Sequence, residues 1–346
     1  MWYNNCASTL WGVGVVTVLH TGGEISKMIN KEKIVNALTI DVEDYFQVSN
    51  FASIIPYKTW KNYELRVVKN TKKILTILDE YNIKATFFVL GWLAERIPEL
   101  VQEIFEKGHE IASHGYTHQV LYEQGPYWFR IDIARSKHIL EEITGSQVNG
   151  YRAPSFSVTN KTLWALKILS EEGYKYDSSI FPIQDHDRYG MPDANPFLHL
   201  IKLPACALPD CEHRSGRHAD RDGKDTLVEF PLSTTMALGR RFPIAGGGYL
   251  RLLPYAFMKW GIRRTNKQGF PAIVYLHPWE LDPGQPRVKV NWMTRFRHYG
   301  NIPKVEGRLR SLLHDFKFST VQSVISCCTD RRFTTVHDYS LAGKDA

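Results

Sequence analysis

The chain has 346 residues, of which 43% are hydrophobic and 23% are charged, and its formal net charge is +7. This composition is typical of a globular protein, and the length suits one large α/β domain or two smaller domains. No apolar run of about eighteen residues or more occurs, which argues against a membrane-spanning helix. The basic residues form no long block and no nucleic-acid motif is present, so we expect no nucleic-acid partner.

The first 30 residues are expected to form an N-terminal extension. Their longest apolar run, residues 10–19, has no Lys or Arg before it and no cleavage site of small residues, which argues against a signal peptide. We expect this segment to be disordered or to precede the true start at Met28.

The five cysteines are odd in number and form no Cys-x-x-Cys pattern. Reduced thiols and a cytoplasmic protein are therefore expected, with a periplasmic or membrane-peripheral location as the alternative. Cys206 and Cys211 could pair within a loop if the protein were oxidised.

Beyond the N-terminal extension, short apolar runs alternate with segments of helical period. The pattern predicts strands at residues 35–41, 84–90, 109–113, 148–152, 227–230 and 272–276, and helices at 67–81, 92–107, 125–144, 160–172 and 254–268. Such alternation predicts a parallel sheet or barrel with helices outside it. Residues 182–226 break the pattern, and their polar part at about residues 205–226 predicts a long surface insertion.

Four segments with polar side chains stand at the ends of predicted strands. Catalytic groups of parallel α/β proteins gather at the C-terminal ends of strands, so this shared placement predicts a single functional site. The segments are TIDVED at residues 39–44, SHGYTH at 113–118, GYRAP at 150–154 and YLHPWE at 275–280.

Three acids, Asp41, Glu43 and Asp44, lie within four residues at the end of the first predicted strand. They could cap a helix or line a solvated turn. In the functional interpretation, one carboxylate holds a divalent cation and another takes a proton from water, and the cation keeps both ionised. The spacing leaves open which acid has which role.

His114 and His118 stand four residues apart, and on a helix or helical turn both imidazoles would face the same way. With 13 histidines in the chain such a pair arises easily by chance, so its weight comes from its place after a strand. Catalytic zinc sites commonly combine three protein ligands with an open position. The two histidines and one of the acids therefore predict a metal-dependent hydrolytic site.

Arg152 ends another predicted strand, and Pro154 follows it. An arginine there could form a surface ion pair, whereas the functional interpretation has it hydrogen-bond Asp41 and keep that carboxylate charged. Pro154 stiffens the loop, so the next backbone N–H could stabilise a developing oxyanion.

His277 follows an apolar strand and precedes a proline. A histidine in that position is usually packed or capping, but here it could be the general acid that protonates a leaving amine. A carboxylate partner would keep it protonated near neutral pH, and Asp177 is the partner that we expect.

Together these motifs resemble those of the polysaccharide deacetylases, the carbohydrate esterases that remove N-acetyl groups from sugars, over about residues 36–315. The resemblance implies that Asp41 is the catalytic base and that Arg152 orients it. It also implies that His114 and His118 bind the metal and that His277 is the general acid. Three further segments resemble the subgroup associated with exopolysaccharide biosynthesis loci. They are EFPLST at residues 229–234, GGGYLRLLPY at 246–255 and FRHY at 296–299.

The chain departs from the family pattern at two positions. The family commonly has two adjacent Asp residues in its first motif, but Val42 follows Asp41 here. The acidic metal ligand must then be Glu43 or Asp44, and relatives with an Asp-x-Asp arrangement favour Glu43.

The second departure lies in the third motif, which usually ends in Tyr and here ends in Ser155. The backbone N–H survives this change, but a ring that walls the substrate cleft is lost. Phe156, Trp279 or Tyr249 could replace that ring.

The implied fold is α/β, a distorted (β/α) barrel of about seven strand–helix units at residues 36–280. A C-terminal extension at residues 281–346 would pack on it and end in a disordered tail. The implied activity is metal-dependent removal of N-acetyl groups from a glycan, with zinc as the expected cation and exopolysaccharide synthesis as the expected context. The alternatives are a metal-independent amidase of small molecules and an inactive carbohydrate-binding protein.

Overall fold

A computed structural model describes residues 34–184, 189–204, 226–329 and 336–338, and its main feature is a large sheet of mostly parallel strands. The sheet order is β10-β1-β2-β3-β4-β5-β7-β6-β12, with β11 beside β1, and β8 and β9 form a separate hairpin. The strands are β1 (Val35–Val42), β2 (Thr86–Val89), β3 (Glu110–Ser113), β4 (Gly150–Tyr151), β5 (Tyr176–Asp177), β6 (His199–Lys202), β7 (Thr226–Glu229), β8 (Thr234–Ala237), β9 (Arg240–Pro243), β10 (Ile273–Leu276), β11 (Lys317–Ser319) and β12 (Val336–Asp338).

Seven consecutive strands of the sheet, from β10 through β1 to β7, run parallel. β1 is buried along seven of its eight residues, which is the pattern of a strand covered on both faces. Among the described residues no strand ladder joins β7 to β10; instead, residues 244–247 pair with Ser233 and with Tyr275 of β10. The predicted mixed α/β architecture is confirmed, and the seven parallel strands match the expected number of units.

Helices connect the strands and bury apolar faces against the sheet. They are α1 (Val67–Glu80), α2 (Gly91–Arg96), α3 (Pro98–Glu106), α4 (Leu121–Thr144), α5 (Trp164–Glu171), α6 (Gly248–Leu252), α7 (Tyr255–Lys267), α8 (Trp292–Tyr299), α9 (Val305–Asp315) and α10 (Val321–Thr329). No helix among the described residues is long and apolar enough to cross a membrane.

The single helix predicted at residues 92–107 is wrong, because the structure has two helices there. α2 ends before Ile97 and α3 begins at Pro98. Proline disfavours helical backbone in the preceding residue but fits the first position of a new helix, which accounts for the break. β6, the β8–β9 hairpin and α6 were not predicted from the sequence.

Several sequence predictions fall outside the described residues. They concern the N-terminal extension with Met28, the pairing of Cys206 with Cys211, the centre of the polar insertion and the C-terminal tail. The domain boundary at residue 280 also stays a prediction, although β11 from the expected extension pairs directly with β1. Cys327, the exposed free thiol of α10, is compatible with the expected reduced state.

Candidate metal and catalytic site

The histidine pair lies in the loop between β3 and α4. This loop is not helical, so the loop itself and not a helical turn brings the two imidazoles together. Left-handed backbone at Gly115 (φ 73°) and His118 (φ 55°) turns the chain tightly, and the two imidazole centroids lie 5.2 Å apart. Asp132 of α4 holds the loop by accepting hydrogen bonds from the backbone N–H groups of Tyr116 (2.6 Å) and Thr117 (3.0 Å).

Glu43 meets both histidines. Its Oε1 lies 3.1 Å from Nε2 of His114 and 3.0 Å from Nε2 of His118, and all three residues are buried. Among the described residues this is the one group of three acidic, His or Cys side chains whose ligand atoms converge, within 4.8 Å of one another. A carboxylate oxygen and two imidazole nitrogens are a donor set that suits zinc and similar divalent cations.

Two features prepare this group for a cation. His114 donates its Nδ1–H to the carbonyl of Arg152 (2.8 Å), which orients the ring with Nε2 toward Glu43. Burial acts to raise the pKa of Glu43, but the neighbouring His118 and His277 and the histidine hydrogen bonds hold it well below its usual range. The residues therefore fit a divalent metal, although their arrangement does not identify which one.

Asp44 faces away from this group. Its Oδ1 accepts the N–H of Tyr45 (2.8 Å), and its Oδ2 accepts the N–H groups of Arg66 (2.6 Å) and Val67 (2.8 Å) at the start of α1. Burial raises the pKa of Asp44 to about 6, against the opposing effect of these donors. Of the two acids that the sequence left open, only Glu43 lies with the histidines.

Asp41 and Arg152 form a buried ion pair beside the metal-binding group. Arg152 Nη1 donates to Asp41 Oδ1 (2.6 Å) and to Thr39 Oγ1 (2.7 Å), while its Nε and Nη2 donate to the carbonyl and hydroxyl of Ser178. The guanidinium also packs 4.1 Å from the ring centroid of Phe88. Arg152 is fully buried, so its orientation, and with it that of Asp41, is fixed by several strands at once.

His277, like Arg152, lies beside the acids. Its Nε2 lies 4.0 Å from Asp41 Oδ2 and 3.7 Å from Glu43 Oε1, and its Nδ1 donates to Glu280 Oε2 (3.1 Å). Glu280 in turn accepts a 2.6 Å hydrogen bond from Nε of the buried Arg251. Burial lowers the pKa of His277, but the carboxylates of Glu43, Glu280 and Asp41 outweigh this effect and raise it to about 9.

The expectation that Asp177 partners His277 is corrected by the structure, which puts Glu280 in that place. Asp177 instead faces Glu229, its register partner on β7. Asp177 Oδ2 and Glu229 Oε2 are buried without a hydrogen-bond donor among the described residues, and the two carboxyl groups interact with each other. Burial raises the pKa of both, and a hydrogen bond between two carboxyl groups requires one of them to be protonated.

The loop after Arg152 forms a 3₁₀ turn at Pro154–Phe156, with left-handed backbone at Ser155 (φ 52°) and Phe156 (φ 53°). Ser155 Oγ donates to Ser49 Oγ (2.6 Å), which ties this turn to the segment that follows Asp44. The turn is therefore held on the same side of the sheet as the acids.

The three rings proposed to wall the cleft differ in exposure. Phe156 is 6% exposed and Trp279 is 5% exposed, whereas Tyr249 is half-buried and its hydroxyl lies 2.9 Å from that of Tyr189. Trp279 stacks on His277 with ring centroids 5.2 Å apart. Tyr249 is thus the most exposed of the three rings, and Trp279 chiefly supports the imidazole.

Glu280, Arg251 and Ser178 are parts of the site that the sequence predictions missed. Glu280 had a detectable signal, because a carboxylate three residues after a histidine can reach back to it, and the structure shows this capping geometry at His277. Arg251 lies in α6, within the segment at residues 246–255 that resembles the exopolysaccharide subgroup, but that resemblance gave it no role in the site. Ser178 directly follows β5.

Two sequence profiles match the chain. One, described as polysaccharide deacetylase, matches residues 58–176, and the other, described as a domain of unknown function (DUF3473), matches residues 178–326. The first match includes both histidines and Arg152 but begins after Asp41 and Glu43. The second includes His277.

Curated relatives match a part of the chain. A peptidoglycan-N-acetylglucosamine deacetylase of Bacillus cereus is 36% identical over 96 residues, which cover 28% of this chain and 35% of the relative. A peptidoglycan deacetylase of Helicobacter pylori is 29% identical over 108 residues, or 31% of this chain and 36% of the relative. The chain thus spans about a third of the length of these relatives.

The fold also has a counterpart among solved structures. The crystal structure of a candidate polysaccharide deacetylase from Mycobacterium smegmatis superposes with a TM-score of 0.54 at 21% sequence identity. The match covers 87% of this chain and 92% of that one, and it shows a shared fold.

Proposed function

We propose that this chain, whose residues 58–176 match the polysaccharide deacetylase family, is a metal-dependent hydrolase that removes N-acetyl groups from a glycan. The observation that carries the proposal is the convergence of Glu43, His114 and His118 beside a buried Asp41–Arg152 pair. We propose zinc as the cation, because one carboxylate and two imidazoles suit it and leave positions open for substrate and water.

When bound, the cation supplies Lewis-acid polarisation of the acetyl carbonyl and of the attacking water. Asp41 takes the proton from that water, and Arg152 keeps the carboxylate oriented toward it. The water oxygen attacks the carbonyl carbon, and the backbone N–H at Ser155, after Pro154, stabilises the resulting negative charge.

His277 completes the hydrolysis by giving its Nε2 proton to the leaving amine. The C–N bond then breaks, and acetate and a free amino sugar leave the site. Glu280 holds the imidazole through Nδ1 and favours its protonated form, and Arg251 holds Glu280. Tyr249 offers a partly exposed ring against which a sugar could stack.

The substrate that we propose is an N-acetylated poly- or oligosaccharide made during exopolysaccharide synthesis. The segments that resemble the exopolysaccharide subgroup support this proposal, and all three lie within the DUF3473 match at residues 178–326. The two curated relatives described above are named as deacetylases of peptidoglycan, so peptidoglycan fragments belong in any substrate panel.

An acetate-release assay on a panel of N-acetylated glycans tests the function. We expect release by the zinc-loaded protein and loss of at least about a hundredfold in Asp41→Asn, since a general base contributes roughly that much. A glycan bearing only O-acetyl groups serves as the contrasting substrate.

Two results would favour the alternatives. Acetate release that survives a chelator would favour a metal-independent amidase. Glycan binding without release by the metal-loaded protein would favour an inactive carbohydrate-binding protein.

A further inference from the structure

Three large apolar side chains protrude from α8 into solvent. Trp292 is 76% exposed, Phe296 is 58% exposed and Met293 is 46% exposed. Positions i, i+1 and i+4 lie on one side of a helix, so the three side chains share one face. A cluster of this kind is uncommon on a soluble surface and usually marks an interaction site.

Basic residues surround this cluster. Arg287, Lys289, Arg295 and Arg297 are all exposed, and none of the four forms an ion pair with a described residue. The chain has no acidic residue between Asp282 and Glu306. We call these four residues, with Trp292, Met293 and Phe296, the α8 patch.

The helix beneath the α8 patch is firmly fixed. His298 is buried and stacks on Trp279, with ring centroids 4.2 Å apart and planes 13° apart, and its carbonyl accepts a 2.7 Å hydrogen bond from Arg251. The hydroxyl of Tyr299 accepts a hydrogen bond from the backbone N–H of Val288 (2.9 Å). The exposure of the three apolar side chains is therefore a property of an ordered helix.

We propose that the α8 patch binds the surface of an anionic phospholipid bilayer. Tryptophan and phenylalanine side chains insert at the boundary between headgroups and acyl chains, and arginine and lysine are attracted to anionic headgroups. The patch combines both features, and the segment that carries it, residues 283–305, contains no acidic residue. Because Trp279 stacks on both His298 and His277, the patch lies on the element that supports the proposed general acid.

Two other occupants fit the charges less well. A second copy of the chain in a symmetric contact would bring four unpaired cations against four others. A neutral glycan would use the aromatic rings but would leave the four cations without a counterpart.

Sedimentation of the full-length protein with vesicles tests this proposal. We expect binding to vesicles that contain phosphatidylglycerol, weaker binding at high salt and at least about tenfold weaker binding to pure phosphatidylcholine. Trp292→Ala/Phe296→Ala and Arg295→Gln/Arg297→Gln should each lower the affinity for the anionic vesicles by about tenfold or more.

The matched control is Tyr127→Ala/Trp128→Ala, which removes two aromatic residues of α4 that are 69% and 62% exposed. Its vesicle binding should equal that of the natural protein. Every variant keeps the apolar run at residues 10–19, so binding through that run would persist in the α8 variants and would overturn the proposal.

The proposal also fails if the natural protein does not sediment with anionic vesicles. It fails equally if the α8 variants change only the molar mass in solution or the affinity for soluble glycans. Acetate release from a soluble substrate should be unchanged in these variants, because no α8 patch residue takes part in the proposed catalysis. The vesicle experiment is therefore independent of the proposed activity. Absence of acetate release would contradict the proposed function but not the proposed membrane binding.

Discussion

The three acids at the end of β1, Asp41, Glu43 and Asp44, meet three different environments. Glu43 faces two imidazoles, Asp41 accepts a guanidinium hydrogen bond, and Asp44 accepts three backbone N–H bonds. The differences arise because successive residues at the end of the strand point in different directions. Separate substitutions of Glu43 and Asp44 should therefore distinguish metal binding from structural support.

Glu43→Gln and Asp44→Asn form a matched pair for the metal site. We expect Glu43→Gln to lower zinc affinity by roughly a hundredfold, because a neutral amide replaces the anionic ligand. Asp44→Asn should retain one equivalent of zinc and lose only stability, since its oxygens support α1. Metal analysis after dialysis measures both, and the reverse order of affinities would contradict the assignment.

Glu280→Gln tests how His277 is kept protonated. Neutralising Glu280 removes an interaction that raises the pKa of His277, so the imidazole should lose its proton at lower pH. We expect the alkaline limb of the kcat profile for acetate release to move toward lower pH and kcat to fall.

Asp177→Asn is the control for this experiment. It should leave the position of the alkaline limb unchanged, because Asp177 faces Glu229 and not His277. A limb that moves in Asp177→Asn but stays in place in Glu280→Gln would restore the partner expected from the sequence.

At the scale of single residues, the sequence was sufficient to predict which side chains lie in the site, but not which side chains they contact. His114, His118, Arg152 and His277 all lie beside the acids, because each follows a strand of one sheet. Glu280 was missed as the partner because the partner was expected on another strand, at Asp177, whereas the carboxylate that bonds the imidazole lies three residues further along the chain.

Among the structural elements, β10 depends on the glycine-rich segment before α6. A Cβ on Gly246 would lie 1.9 Å from the carbonyl oxygen of Tyr275, and Gly246 has φ 126°. This close approach is needed because the backbone of residues 245–247 forms hydrogen bonds with Tyr275 of β10. Tyr275 lies two residues before His277, so the same contact holds the end of the strand that carries His277.

Gly246→Ala should therefore lower the free energy of unfolding by about 2–4 kcal/mol, through the steric clash and the unfavourable φ. Gly248→Ala is the control, because its nearest neighbour is the end of Arg251 at 3.7 Å and the residue lies within α6. We expect Gly248→Ala to leave stability within about 1 kcal/mol of the natural protein. Equal losses in urea unfolding of the two variants would contradict this account.

Where β5 pairs with β7, we expect the buried carboxyl groups of Asp177 and Glu229 to share one proton. Burial raises the pKa of Asp177 and of Glu229, so the folded state keeps a proton that the unfolded chain releases near pH 4.5. Stability should therefore fall as the pH rises from that value through the raised pKa of the folded pair.

Glu229→Gln should remove this part of the pH dependence, because its amide N–H can donate permanently to Asp177. Between pH 5.5 and pH 8.5 we expect the free energy of unfolding to fall by about 1–2 kcal/mol more in the natural protein than in the variant. Urea unfolding at both pH values measures it, and parallel pH profiles for the two proteins would contradict the shared proton.

At the scale of the whole molecule, the alternating pattern was sufficient to predict the parallel α/β fold. Short, mainly apolar runs such as Val35–Val42 are typical of strands buried on both faces, and each predicted run lies in the central sheet. β6 and the β8–β9 hairpin escaped prediction because short strands in polar or mixed sequence carry little periodic signal. The break between α2 and α3 could have been predicted from Pro98.

The most direct test of the whole account is a zinc titration of metal-depleted protein, followed by acetate release from an N-acetylated glycan. The account predicts no release without metal, full activity at one equivalent of zinc, and no recovery in His114→Ala/His118→Ala at the same zinc concentration. Undiminished acetate release from the metal-depleted protein, or recovery by zinc in the double variant, would contradict it.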